Sequence, residues 1–191
     1  GASALLHLRL ERFAALEALK RGLESNSPAE RRKAAWYAGL AGPGTARARA
    51  GDAELWKPIV EKLAGLLGDP DGAVRAASLQ ALATLGPLAA PAAKAVAPLL
   101  EDRELAIDAA DAIGRMGPAA RPLPARLATM LSDAQPTVRW AAVRAMCQVG
   151  GEEARPALDF MIRALPTASE MDGYNMMVYF ALLGPAARDA I

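Results

Sequence analysis

The side chains that most often carry chemistry are scarce in this sequence, which has one histidine, His7, and one cysteine, Cys147. A nucleophile needs a positioned base, and a zinc or haem site needs several ligands, so neither residue has the company such chemistry requires. A single Cys forms no internal disulfide. Asp108 and Asp111 are three residues apart, close enough to share one helix face. Paired carboxylates can divide acid–base work, but solvated surface charge is their commoner use. No Gly-rich loop followed by Lys-Ser/Thr, no metal-binding spacing and no c-type haem attachment is present. The expectation is a chain that is no enzyme and takes no cofactor.

What remains is binding, and binding side chains must be positioned by helices. The 191 residues include 46 Ala and 26 Leu with only 5% aromatic residues, a composition that favours helix over sheet. Lys and Arg number 22 against 21 Asp and Glu, so no basic excess points to nucleic acid, and 53% hydrophobic residues are too many for a disordered chain. No apolar run is expected to reach the eighteen or so residues of a membrane span. Residue 1 is Gly and no basic segment leads into an apolar one, so no intact secretory signal is expected and the cytoplasm is the default compartment. The heavy use of Ala and Arg hints at a GC-rich bacterial genome.

Self-similarity organises the rest. Gly-Pro pairs recur at Gly42-Pro43, Gly86-Pro87, Gly117-Pro118 and Gly184-Pro185, with Gly150-Gly151 in place of another, and the glycines are 44, 31, 33 and 34 residues apart. This gives repeats at about 4–42, 53–86, 87–117, 118–150 and 151–184, an inserted loop at 43–52, and the start of a further repeat at 185–191 that makes the chain look cut from something longer. Each repeat reads as two helices. Gly ends one in a left-handed residue and Pro opens the next. The expected helices are 4–23, 28–41, 53–67, 72–85, 88–100, 103–116, 119–131, 136–149, 152–165 and 171–183, with first helices bent or shortened by Pro91, Pro98, Pro122 and Pro124, and by Pro58 and Pro156.

Two segments match closely, Asp69-Pro70-Asp71-Gly72-Ala73-Val74-Arg75 and Asp133-Ala134-Gln135-Pro136-Thr137-Val138-Arg139, each followed by Ala and Leu at helical spacing and a closing Gly. Aligned on that Gly, the Arg position holds Arg31, Arg75, Ala106, Arg139 and Gly173. This pattern resembles the HEAT repeat, in particular the short HEAT-like repeats of the phycobilisome-lyase type, over nearly the whole chain. The resemblance implies an all-α, right-handed α-solenoid of five helix pairs plus the start of a sixth, forming a single domain. It also implies that Asp69, Arg75, Asp133 and Arg139 form a ladder between repeats and cap helices. Arg31, beside Arg32 and Lys33, is the one such Arg expected to be left free.

Three and six residues after the Arg position, Ala34, Ala81, Ala109, Ala112, Ala142 and Ala145 are expected in the core, with Leu79, Leu82, Leu85, Ile113, Met116, Val143, Met146 and Val149. Cys147 belongs with them. In HEAT solenoids the second helices line the concave surface, and the stripe opposite the Ala/Leu face carries Arg32, Trp36, Asp111, Arg115, Trp140, Arg144, Gln148, Tyr174 and Asn175. Aromatics and Arg anchor interfaces more often than other residues. A protein or peptide partner is therefore expected on this stripe, with nucleic acid disfavoured by Asp108 and Asp111. The apolar last repeat, around Met176, Met177 and Phe180, needs a cover. The alternative is an accessory domain of a larger enzyme, of hydrolase or bilin-lyase type, with its catalytic part elsewhere.

Overall fold

Proline and glycine set most helix limits, and the computed structural model shows where. It describes residues 2–42 and 52–184, with side chains from residue 13 onward; the insertion at 43–51, His7 and the segment from 185 lie outside that description. Ten α-helices run through the described residues: α1 (Ala2–Leu23), α2 (Pro28–Ala41), α3 (Asp52–Gly65), α4 (Gly72–Leu85), α5 (Ala93–Val96), α6 (Ala106–Met116), α7 (Ala125–Met130), α8 (Pro136–Val149), α9 (Arg155–Ala164) and α10 (Glu170–Leu183). The described residues contain no strand. Pro28 and Pro136 open α2 and α8, where their missing N–H costs nothing. Gly86, Gly117, Gly150 and Gly184 follow α4, α6, α8 and α10 with φ between 56° and 69°, a conformation costly for any other residue. Gly42 departs from this expectation, ending α2 in extended backbone with φ −60°.

The prolines reshape the first helices of the third and fourth repeats more than a bend. The expected helix at 88–100 is a 3₁₀ run Gly86–Ala92, the single turn of α5 and a second 3₁₀ run Ala97–Glu101. The helix expected at 119–131 is a 3₁₀ turn Gly117–Ala120 followed by α7. Each proline removes an N–H from the i→i−4 ladder, and shorter i→i+3 bonds fill in. One sequence expectation needs correcting: the helical run 72–101 is long and apolar enough to cross a membrane by length and composition, with a mean hydropathy of 1.2. Gly86 and Pro87 break its α-geometry midway, and Val74, Leu79, Leu82, Leu85, Val96 and Leu100 are buried in the protein.

The chain divides into two compact units, Gly1–Ala95 and Val96–Ile191. In the first, α2 packs along α4, with α1 against α2 and α3 against the 3₁₀ run that follows α4. In the second, α6 packs along α8, and α7, α9 and α10 pack on α8. The small residues at the repeat positions are the contact surface. Ala34, Ala81, Ala109, Ala112, Ala142 and Ala145 are all buried, as are the eight larger residues expected beside them. Each buried Leu, Ile or Met contributes about 1.5–3 kcal/mol.

Two helical glycines bring the paired helices closest. A Cβ on Gly39 would lie 3.2 Å from the Ala81 Cα, and one on Gly114 would lie 2.9 Å from the Ala145 Cα and collide with the Gln148 Oε1. Gly39 and Gly114 occupy the same place in their repeats, eight residues after Arg31 and Ala106.

Candidate interaction surface

The Arg residues that recur between repeats act first on the loops inside their own repeat. Arg31 Nη1 donates to the Ser25 and Asn26 carbonyls at 2.9 and 3.1 Å. Arg75 Nη1 does the same to Asp69 and Pro70 at 2.9 and 3.3 Å, and Arg139 Nη1 to Asp133 and Ala134 at 2.8 and 3.0 Å. One guanidinium thus satisfies two loop carbonyls in each of three repeats.

The expected ladder is reduced to one rung among the described residues. Arg31 donates to both Asp69 oxygens, Nε to Oδ2 at 2.7 Å and Nη2 to Oδ1 at 2.9 Å. Far from being free, Arg31 is the only Arg of its set in a carboxylate pair. The other rungs lack a partner residue: Leu100 and Thr167 stand where the third and fifth repeats would need Asp, and Ala106 stands where Asp133 would need Arg. The capping assignment shifts as well. Asp71, not Asp69, caps α4, its Oδ1 accepting from Ala73 and Val74 N–H at 2.8 and 3.2 Å. Asp69 and Asp133 instead accept the N–H two residues on, from Asp71 and Gln135, each at 2.9 Å. Arg31 and the Asp71 N–H hold the nearly buried Asp69 carboxyl below the usual carboxylate range.

On the N-terminal unit the stripe is open. Arg32 and Lys33 are exposed, with Trp36 and Leu40 exposed at 53% and 64%. Arg32, Trp36 and Leu40 follow one another by four residues and so share one face of α2. Between α2 and α4 lies a groove of about 90 Å³, lined by Trp36, Gly39, Leu40, Ala77, Gln80, Ala81 and Thr84. Gly39 and Ala81, which carry almost no side chain, leave the space open. Around the helix, Lys33 and Tyr37 face a larger groove of about 540 Å³ against α1, together with Glu30, and Lys33 Nζ sits 5.9 Å from the Tyr37 ring centre.

On the C-terminal unit most of the stripe is tied down. Asp111 pairs with Arg115 Nε at 2.6 Å and with Arg144 Nε at 3.2 Å. The second contact is an ion pair rather than a hydrogen bond, since the Arg144 N–H is poorly aligned. Trp140 is half-buried, packed edge-on to Phe160 at 6.0 Å and stacked on Tyr179 at 6.2 Å. Ala141, next to Trp140, is buried, and the Gln148 Oε1 is buried over Gly114 without a hydrogen-bond partner. Trp140 is drawn in because α9 and α10 pack on α8, and Gln148 because α6 packs along it. Burial pushes the Tyr179 hydroxyl upward.

On α10, Tyr174 is 62% exposed and Asn175 half-buried. Met176 is a core residue at 1%, a correction to its expected contact role, while Phe180 is half-buried and Met177 is 65% exposed. Met171, Val178 and Leu182 are exposed beside it. The sequence reasoning missed Tyr37 and the groove floor; a Gly inside a helix at the same place in two repeats was the available signal for the latter.

With this geometry in place, comparison with known proteins fixes the class. The fold is that of helical-repeat α-solenoids. An engineered protein solved by the Northeast Structural Genomics Consortium superposes with a TM-score of 0.66 at 20% identity, over 92% of this chain and 83% of that one. A designed armadillo repeat protein in complex with the peptide (KR)4 superposes with a TM-score of 0.67 at 19% identity, over 90% and 82%. Residues 59–89 match the family model of the HEAT repeat. Nothing in these likenesses singles out the phycobilisome-lyase type. No curated protein matches the sequence.

Proposed function

We propose that this chain is a non-catalytic interaction module that binds a peptide or an exposed segment of another protein on the stripe of its second helices. The observation that carries this is the open face of α2, where Arg32, Trp36 and Leu40 stand exposed in line beside a groove floored by Gly39 and Ala81. Exposed large apolar side chains next to a concave groove mark binding surfaces, and Trp and Arg are frequent anchors. The designed armadillo protein of similar fold is itself a peptide complex. The exposed face of α10 offers a second contact of the same kind.

Side chains with catalytic potential are committed elsewhere. Asp111 is held by two arginines, and burial pushes the Cys147 thiol up to about 12, which suppresses the thiolate.

Selection of binders from a random peptide library, followed by titration against variants, tests this reading. Trp36→Ala is expected to weaken a selected peptide about tenfold or more, with the helical circular dichroism signal retained because Trp36 is half exposed. Trp140 is the wrong residue to probe, since removing it disturbs the packing on Phe160 and Tyr179. Peptides whose affinity ignores Trp36, Leu40 and the α10 face would refute the proposal.

A further inference from the structure

The two units carry different charge on equivalent surfaces. On the C-terminal unit Arg115 and Arg144 share Asp111, and Asp108 stands exposed on the same helix, so the cations are largely neutralised. On the N-terminal unit, among the described residues, no carboxylate pairs with Arg32. The facing stripe of α4 is Ala76, Ala77, Gln80 and Thr84, without charge. Glu30, the nearest acid in sequence, faces the separate groove against α1. Arg32 therefore presents an uncompensated guanidinium one helical turn before Trp36, itself a lining residue of the small groove.

That juxtaposition defines a ligand. The groove of about 90 Å³ takes a small branched aliphatic side chain against the Trp36 ring, not an aromatic one. A helical turn separates Arg32 from Trp36 by roughly 5–6 Å between Cβ atoms. Alternate residues of an extended peptide lie on one side roughly 6.5–7 Å apart, a close match. The exposed Gln80 amide adds a donor and an acceptor beside the same groove.

We propose that the groove between α2 and α4 binds an acidic segment of a partner protein, in which an Asp or Glu two residues from a Val or Ile meets Arg32 while the aliphatic side chain fills the groove. The proposal rests on the peptide-binding reading above and adds the chemistry of the ligand. It predicts a charge preference opposite to that of the (KR)4 peptide bound by the designed armadillo protein.

The test is an NMR titration of the whole chain, following the Trp36 indole N–H, with the peptide Ser-Asp-Ser-Val-Ser-Asp-Ser. Trp36→Phe assigns that resonance among the three tryptophans. The indole signal is expected to shift to saturation. Replacing both Asp by Lys, or Val by Ser, should weaken binding about fivefold or more, as should Arg32→Ser in the protein. Added salt should weaken the acidic peptide, as expected of an exposed ion contact. Thr84→Phe, which fills the groove from an exposed position, should abolish the advantage of Val over Ser. Equal or tighter binding of the Lys peptide, or indifference to Arg32→Ser, overturns the proposed ligand while leaving a peptide-binding face intact. Tighter binding of a single-stranded oligothymidylate at Trp36 overturns it in favour of nucleic acid. If acidic, neutral and (KR)4 peptides all leave Trp36 unmoved and the library selection also yields nothing, both proposals fail.

Discussion

Asp69 takes three hydrogen bonds where two repeats of the N-terminal unit meet. It accepts both forks of Arg31 and the Asp71 N–H while almost wholly buried. A bidentate pair of this kind is geometrically demanding, so Lys does not substitute for Arg31. Its carboxyl is depressed in the folded chain, chiefly by the hydrogen bonds from Arg31. The stability it supplies is therefore complete above the unfolded carboxyl value of about 4 and is lost as pH falls through the lower folded value. Urea unfolding of wild type and Asp69→Asn between pH 2.5 and 7 should show a gap that is widest near neutrality and closes in acid. A gap independent of pH would mean that the charge of Asp69 is not what stabilises the rung.

At the scale of helices, the close pairs α2–α4 and α6–α8 depend on Gly39 and Gly114. Gly114→Ala places a methyl group 2.9 Å from the Ala145 backbone and onto the Gln148 amide, an overpacking cost of about 1–3 kcal/mol. The gain in helix propensity, about 1 kcal/mol, offsets only part of it. Gly39→Ala meets Ala81 at 3.2 Å, which a few tenths of an ångström of adjustment relieves, so it should stay within about 1 kcal/mol of wild type. Denaturant midpoints of the two variants check this order. The helix pairs themselves were legible in the sequence because Gly-Pro punctuation and Ala spacing depend only on local backbone geometry and one buried face. The fate of the stripe was not, because it depends on the next neighbour. Trp36, five residues after Arg31, stays exposed beside the small side chains Ala77 and Ala81, whereas Trp140, one residue after Arg139, meets Phe160 and Tyr179. The ladder failed for a similar reason, since each rung needs residues from two repeats and only Arg31 and Asp69 supply both.

For the molecule as a whole, stability in a stacked-repeat fold is built from local terms, and different regions can open with different free energies. Cys147 reports on the C-terminal unit. It is the only cysteine in the sequence, is 3% exposed, and has its thiol pushed up from 9.0 to about 12. At pH 8 that shift alone lowers the thiolate fraction about a thousandfold, so a thiol reagent should label the native chain at least that much more slowly than the urea-unfolded chain. Rapid native labelling would show that α8 opens readily around Met146 and Val149.

The two interior glycines also bear on how the chain repeats. Stepping through it one repeat at a time sets Gly39 against Ala83 and Gly114 against Cys147. Stepping in twos superposes Gly39 on Gly114, 75 residues on, and Ala81 on Ala145 and Thr84 on Gln148, each 64 residues on, the residues that line or meet across each tight pair. The close helix crossing thus recurs with every second repeat, at Gly39 and again at Gly114.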